Sequence, residues 1–291
     1  MRNPNQHLLP DGRRMAVHTA SSGTGRVILL CHPTPCAGGF DPSPRLTAER
    51  GVTLISPDRA GYGFSEPRPE NSWARVDTAA DDLAHLLDHH NLSRVGVAGW
   101  GLGGWVACAL AARRPELVER LCIFGAPMGG TDLSHLPDSV RAALGGLEAA
   151  DPLEAARALT RPLEPYTDVV NQFAPLDFFG GVAIDQEAVA ADLRPDGRIA
   201  AMSRAALRQG AGGFAAEVAG FHLRPWGFEP TEVMAKTLLL YGNKDPVVAN
   251  RHAHWWHKCL PDSRAEMAPG AGALTIVRLW KRALSHLAPT R

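Results

Sequence analysis

Short apolar runs alternate along this chain with longer stretches in which apolar residues recur every three or four positions. The runs VILLCH (27–32), VTLISP (52–57), VGVAG (95–99), LCIFGA (121–126) and TLLLYG (237–242) are apolar without a polar face. Such runs predict strands buried on both sides of a parallel sheet. MAVHTA (15–20) follows the turn residues Asp11-Gly12 and predicts a further strand, and another is expected near 265–269. Val76, Ala79, Leu83, Leu86 and Leu87 predict a helix over 73–90, with Ser72 as its N-cap. The Ala-rich stretch 102–114 predicts a helix that stops at Arg113-Arg114-Pro115, because a residue before proline is pushed out of the helical region. Helices are also expected near 248–259 and 275–287. Alternating strands and helices imply right-handed crossovers and an α/β fold with a mainly parallel sheet.

The alternation breaks between 128 and 232. Helical patterns at 139–149, 152–160, 185–193 and 199–209 are separated by Pro and Gly, with no strand pattern among them. The expected organisation is a core made of 1–127 and 233–291, with a helical cap at 128–232. A cap placed there shields a site at the carboxyl ends of the strands.

Composition narrows the picture. The 291 residues suffice for one large α/β domain, and 45% hydrophobic against 21% charged residues provides a sizeable core. Thirty Lys+Arg balance thirty Asp+Glu, which argues against nucleic acid and against an anionic membrane surface as partners. No long apolar stretch opens the chain and no window has the length of a membrane span, so a cytoplasmic protein is expected. Cys31, Cys36, Cys108, Cys122 and Cys259 are odd in number, widely spaced and without a CxxC pair, which disfavours a disulfide framework or a zinc site.

Four motifs carry chemistry. His32-Pro33-Thr34-Pro35-Cys36 follows the strand VILLC. Pro57-Asp58-Arg59-Ala60-Gly61-Tyr62-Gly63-Phe64-Ser65 follows VTLISP. Gly99-Trp100-Gly101-Leu102-Gly103-Gly104 joins a strand to the Ala-rich helix. Gly242-Asn243-Lys244-Asp245-Pro246 follows TLLLYG, and Pro269-Gly270-Ala271-Gly272-Ala273-Leu274 comes after it. Taken in order, these segments resemble the α/β-hydrolase family over essentially the whole chain. The resemblance implies that the third motif is the nucleophile elbow G-x-S-x-G, with Gly101 where the serine belongs. It implies that Asp245 holds the acid position and that Ala273 stands where the histidine belongs. It gives the oxyanion hole to the backbone N–H groups of Thr34 and Leu102. Asp58 and Arg59 fall in a turn that braces loops in the family.

Acyl transfer through a serine needs an oxygen nucleophile and a base that takes its proton. Gly101 and Ala273 supply neither. Asp245 survives as the one triad group, either as a base or ligand anchor or as an acceptor of backbone hydrogen bonds in its own turn. His32, Cys36, Trp100, Gly101, Phe178, Phe179 and Trp226 are the expected pocket residues, though each of the histidine, cysteine and aromatic side chains also suits plain packing. His222 and the trio His252, His254 and His257 are read as packed or solvated histidines rather than bases or metal ligands. The elbow also satisfies GxGxxG, but strands precede it and the next strand ends in Ala126-Pro127, so a dinucleotide site is not expected.

The expected function is therefore non-hydrolytic, as an isomerase, epimerase, cyclase or lyase acting on a mostly apolar small molecule or peptide, with bacterial natural-product biosynthesis as a setting by analogy. The alternatives are a ligand-binding pseudoenzyme and an atypical hydrolase with a substitute nucleophile or Asp245-activated water. No cofactor and no metal are expected, and a homodimer is the candidate assembly.

Overall fold

A computed structural model of the chain describes residues 4–130, 132–168, 177–178, 184–191, 194, 197–248 and 250–289. Its sheet contains β1 (Asn5–Leu8), β2 (Arg14–Ser21), β3 (Val27–Cys31), β4 (Thr53–Pro57), β5 (Val95–Trp100), β6 (Val118–Phe124), β7 (Lys236–Gly242) and β8 (Ser263–Ala268). The spatial order is β1-β2-β4-β3-β5-β6-β7-β8. β1, β2 and β4 pair antiparallel, and every pairing from β4 through β3 to β8 is parallel. β5 is buried at all six positions, as its unbroken apolar run requires in the middle of a two-sided sheet.

Helices flank both faces. α1 (Pro44–Glu49), α2 (Val76–His89) and α3 (Gly103–Arg113) lie between strands of the first half. The segment between β6 and β7 holds α4 (Asp138–Leu144), α5 (Pro152–Leu163), α6 (Gln186–Val189), α7 (Arg198–Ala206) and α8 (Gly212–Leu223). α9 (Asn250–Cys259) and α10 (Thr275–Leu287) complete the chain. One core cluster joins Leu83, Leu87, Val106 and Trp256 on one face of the sheet. The other joins Ile28, Leu54, Phe124 and Trp280 on the opposite face.

Four elements differ from expectation, and one of them is α1, where no helix was expected. α2 starts at Val76 rather than beside Ser72, because the Thr78 hydroxyl accepts the Arg75 N–H at 3.2 Å and closes the first turn there. β1 was not anticipated; it is short and half polar, and it gains its place by pairing with β2. α8 was also missed. Its sequence GGFAAEVAGFHL is apolar nearly all round and so carries no amphipathic stripe.

α8 carries the contact that ties its segment to the sheet. Glu217, 3% exposed, takes the Arg59 guanidinium at 2.6 Å through Nε and at 2.8 Å through Nη2. The same carboxylate accepts the Tyr62 hydroxyl at 3.1 Å and the Thr34 hydroxyl. Arg59 also donates to the His32 carbonyl and, at 2.9 Å, to Thr34 Oγ1. Burial works against the Arg59 charge, but the Glu217 carboxylate offsets this and holds the guanidinium pKa above its usual value.

Removing one partner of such a pair strands the other charge in the core. Glu217→Gln is expected to lower unfolding stability by about 3–5 kcal/mol in urea titration. The joint replacement Arg59→Met with Glu217→Leu is expected to cost less than Glu217→Gln alone, because no unpaired charge remains.

Candidate active site

The turn after β5 keeps the shape of a nucleophile elbow without its chemistry. Gly101 has φ +55°, its N–H donates to the Phe124 carbonyl at 2.9 Å, and its carbonyl accepts the Gly104 N–H at 2.9 Å. A side chain in this left-handed region costs about 1–3 kcal/mol, and glycine avoids the cost. The flanking glycines have a different task. A Cβ on Gly99 would lie 2.6 Å from Gly104 Cα, and one on Gly103 would strike the carbonyls of Cys31 and His32. Strand, helix and the loop after β3 converge only because these side chains are absent.

Thr34 lies in that loop and is fully buried. Its hydroxyl is held by Arg59 and Glu217, which fixes the backbone beside it. Among the described residues neither the Thr34 N–H nor the Leu102 N–H donates to a protein acceptor. Two N–H groups on abutting loops, both without partners, are what an oxyanion site requires.

Gly101 and Ala273 lie close together. The Trp100 indole N–H, adjacent to Gly101, donates to the Ala273 carbonyl at 3.2 Å. Ala273 is 7% exposed. On either side of it, the Gly272 and Leu274 N–H groups donate to one carboxylate, Asp185, at 3.0 and 2.9 Å. Asp185 belongs to the turn before α6 and is buried. It straps the segment between β6 and β7 to the loop that lacks the histidine.

Asp245 sits in the turn after β7. Its Oδ1 accepts the Val247 and Val248 N–H groups at 2.8 Å each. Its Oδ2 makes no hydrogen bond among the described residues and lies 3.9 Å from where a Cβ on Gly125 would stand. Burial pushes this carboxyl up to about 6, against the two N–H bonds, and the nearby Asp185 charge adds to the rise. One oxygen is thus used structurally and the other is available.

The remaining expected pocket residues are placed elsewhere. His32 Nε2 accepts the Arg59 N–H at 3.0 Å, and its Nδ1 donates to the Pro33 carbonyl at 2.9 Å. Both nitrogens are used, and burial together with the Arg59 charge holds the ring neutral. Cys36 is fully buried, and burial pushes its thiol far above the reactive range. The Trp100 ring packs with Phe40 in the core. Phe178 packs on Tyr166 and Phe214 within the helical segment, and Phe179 lies outside the described residues. Trp226 stacks on Trp256 and Phe228 and abuts Trp105, as part of an aromatic cluster.

Among the described residues, His222, His252 and His257 are engaged away from this turn. His222 donates from Nδ1 to the Val218 carbonyl at 2.7 Å and meets His135 at 3.0 Å, and burial lowers its pKa to about 4. His252 accepts the Met128 N–H at 3.0 Å. His257 does meet a serine, Ser263, at 2.9 Å. That pair is exposed and stands at the first residue of β8, whereas the elbow and Asp245 follow the last residues of β5 and β7. Among the described residues no group of three or more His, Cys, Asp or Glu could hold a metal ion. Also among them, no helix is long and apolar enough to cross a membrane, and all five cysteines are free.

Sequence reasoning missed Glu217 and Asp185. Glu217 had a signal, since a lone carboxylate in an otherwise apolar helix needs a buried partner. Asp185 had none, because its partners are backbone N–H groups 87 and 89 residues away.

Comparison with known proteins agrees with this architecture. The human serine hydrolase BPHL is 26% identical over 263 residues, covering 87% of this chain and 75% of that protein. A 2-hydroxymuconate semialdehyde hydrolase from Pseudomonas sp. (strain CF600) is 32% identical over 125 residues, 41% of this chain and 42% of that protein. Among solved structures, the epoxide hydrolase CorEH superposes with TM-score 0.71 at 21% identity, over 99% of both chains. A bromoperoxidase from Bacillus anthracis gives TM-score 0.68 at 17% identity, over 97% of both. Residues 27–277 match the family model described as the alpha/beta hydrolase fold. With that sheet order, that elbow and that match, the chain belongs to the α/β-hydrolase fold family.

Proposed function

We propose that this protein is a non-hydrolytic member of its family, an isomerase or epimerase that moves a proton next to a carbonyl group. The observation that carries the reading is Asp245. It is a mostly buried carboxylate with one free oxygen and a pKa raised to about 6, in a site without nucleophile or imidazole. A base works best when its pKa lies near the working pH. In the proposed step, Asp245 Oδ2 takes the proton α to the carbonyl and becomes a neutral acid. The electron pair of the C–H bond moves to the carbonyl oxygen as an enolate, which the Thr34 and Leu102 N–H groups stabilise. Return of the proton from Asp245 to a conjugated carbon on the same face gives the isomer and restores the carboxylate; epimerisation requires the enolate first to turn its other face to Asp245. The relatives named as hydrolases supply a fold for this chemistry. The lack of a hydroxyl at Gly101 and of an imidazole at Ala273 argues against acyl transfer through a serine here. The helical segment 128–232 acts as the cap that keeps water from the enolate, the ligand is mostly apolar, and no cofactor takes part.

Turnover in D₂O, read by mass spectrometry, is expected to place deuterium at the carbon next to the carbonyl. A substrate returned with its proton neither exchanged nor moved would sink the proposal. Asp245→Asn is expected to lower kcat about 10²–10⁴-fold. The wild-type rate is expected to rise with pH through about 6, as the carboxyl ionises. Generic p-nitrophenyl esters are expected to show negligible turnover, and Gly101→Ser with Ala273→His is expected to gain weak esterase activity.

Stability separates a base from a mere turn residue. A carboxyl with its folded pKa raised stabilises the fold when protonated, below its unfolded value of 3.8, and loses that contribution as pH rises through about 6. Asp245→Asn keeps an Oδ1 acceptor and removes the desolvated charge. Its melting temperature is expected to exceed that of the wild type at pH 8, with the gap closing towards pH 4. A lower melting temperature at both values would show that Asp245 is structural.

A further inference from the structure

Between the loop after β4 and the facing turns of α5 and α8 lies a cavity of about 330 Å³. That volume falls within the range of small-molecule sites, roughly 300–1,000 Å³. Thr34, Gly101, Leu102, Asp245 and Ala273 do not line it, so it is separate from the site described above. Much of its wall is small or apolar, with Ala60, Pro67, Leu153, Ala156 and Ala215 among the lining residues, and the rest includes Arg68, Glu70, Arg157, Thr160 and Gln209. The hollow has a sequence cause. A Cβ on Gly213 would come 2.5 Å from the Gly61 carbonyl oxygen, so α8 and the loop already touch there. Gly212, one residue earlier, faces open space, with nothing within 4 Å of where its Cβ would be.

Charge at the cavity favours an anion. Arg157 lines it from the exposed side of α5 and makes no hydrogen bond or ion pair among the described residues. Arg68 also lines it, but its guanidinium is held by Asp82 at 2.9 Å. The N-terminal turn of α8 opens onto the cavity at Gly212 and Gly213, and its N-cap, Ala211, has no side chain to accept those N–H groups. Glu70, exposed, is the one carboxylate residue on the wall.

We propose that this cavity is a second ligand site, built for a small carboxylate with an apolar tail. The carboxylate lies between Arg157 and the start of α8, and the tail lies among Pro67, Leu153 and the alanines. The position carries a consequence. Ala60 adjoins Arg59 in the chain and Ala216 adjoins Glu217, and both line the cavity. A ligand there rests against the backbone on both sides of the ion pair that holds Thr34.

Isothermal titration calorimetry with sodium octanoate tests this, with 1-octanol as the uncharged comparison. Octanoate is expected to bind saturably in the submillimolar range, about tenfold more tightly than octanol. Arg157→Gln is expected to weaken octanoate about tenfold and leave octanol unchanged. Glu70→Gln is expected to tighten octanoate a few-fold. Gly212→Phe fills the hollow and is expected to abolish binding of both; Ala156→Leu, on the facing helix, does the same should the first variant fold poorly. No saturable octanoate binding up to about 10 mM overturns the proposal. So does octanoate binding that survives both Arg157→Gln and the cavity-filling variant. The readout is binding at residues outside the site, so its failure leaves the proton-transfer reading standing, and failure of that reading leaves this one standing.

Discussion

A guanidinium buried between the sheet and a helix organises this molecule. Arg59 is 6% exposed, and such a charge is several kcal/mol too costly to bury unless every donor finds an acceptor. It finds them in the His32 carbonyl, the Thr34 hydroxyl and both oxygens of Glu217. Three segments distant in sequence are thereby held at one point: the loop after β3, the loop after β4 and α8. The Tyr62 hydroxyl closes the network, and His32 is fixed beside it as a neutral ring. The shape of the loop that offers the Thr34 N–H depends on this arrangement.

The same economy holds the turn after β5 in shape without a side chain at its tip. The elbow at Gly101 is maintained by backbone hydrogen bonds to Phe124 and Gly104, and by glycines at 99 and 103 that allow close approach. None of these contacts involves a nucleophile. Glycine at a positive φ removes strain that a serine would store, so losing the hydroxyl costs the fold nothing. At the histidine position the backbone is held from outside, by Asp185 on the N–H groups of Gly272 and Leu274. Two carboxylates, Asp185 and Asp245, now stand near a loop that in the family carries an imidazole. The Asp185 charge adds to burial in raising the Asp245 pKa.

Much of this was legible beforehand because it is local. Apolar runs of five to seven residues produced the strands, since a two-sided sheet leaves no polar face to disguise them. Glycine spacing marked the elbow. Asp58 could be read as a brace: its carboxylate accepts the N–H groups of Gly38 at 2.6 Å and Phe64 at 2.9 Å. The pocket aromatics were not legible. Trp100, Phe178 and Trp226 have the chemistry of a ligand wall and of a core alike, and only neighbours decide between them. Each found aromatic or aliphatic partners.

The sequence alone determined the α/β class, the order of the strands along the chain and, through the resemblance of its motifs, the fold family. The class and the strand order follow from periods of two to four residues, which the chain carries within itself. The tertiary structure alone decided which charges meet. Glu217 reaches Arg59 across 158 residues and Asp185 reaches Gly272 across 87, and no local pattern encodes a contact at that separation. It also decided that Asp245 keeps one oxygen free, because burial and hydrogen-bond geometry are properties of the packed molecule and not of the segment that supplies the side chain.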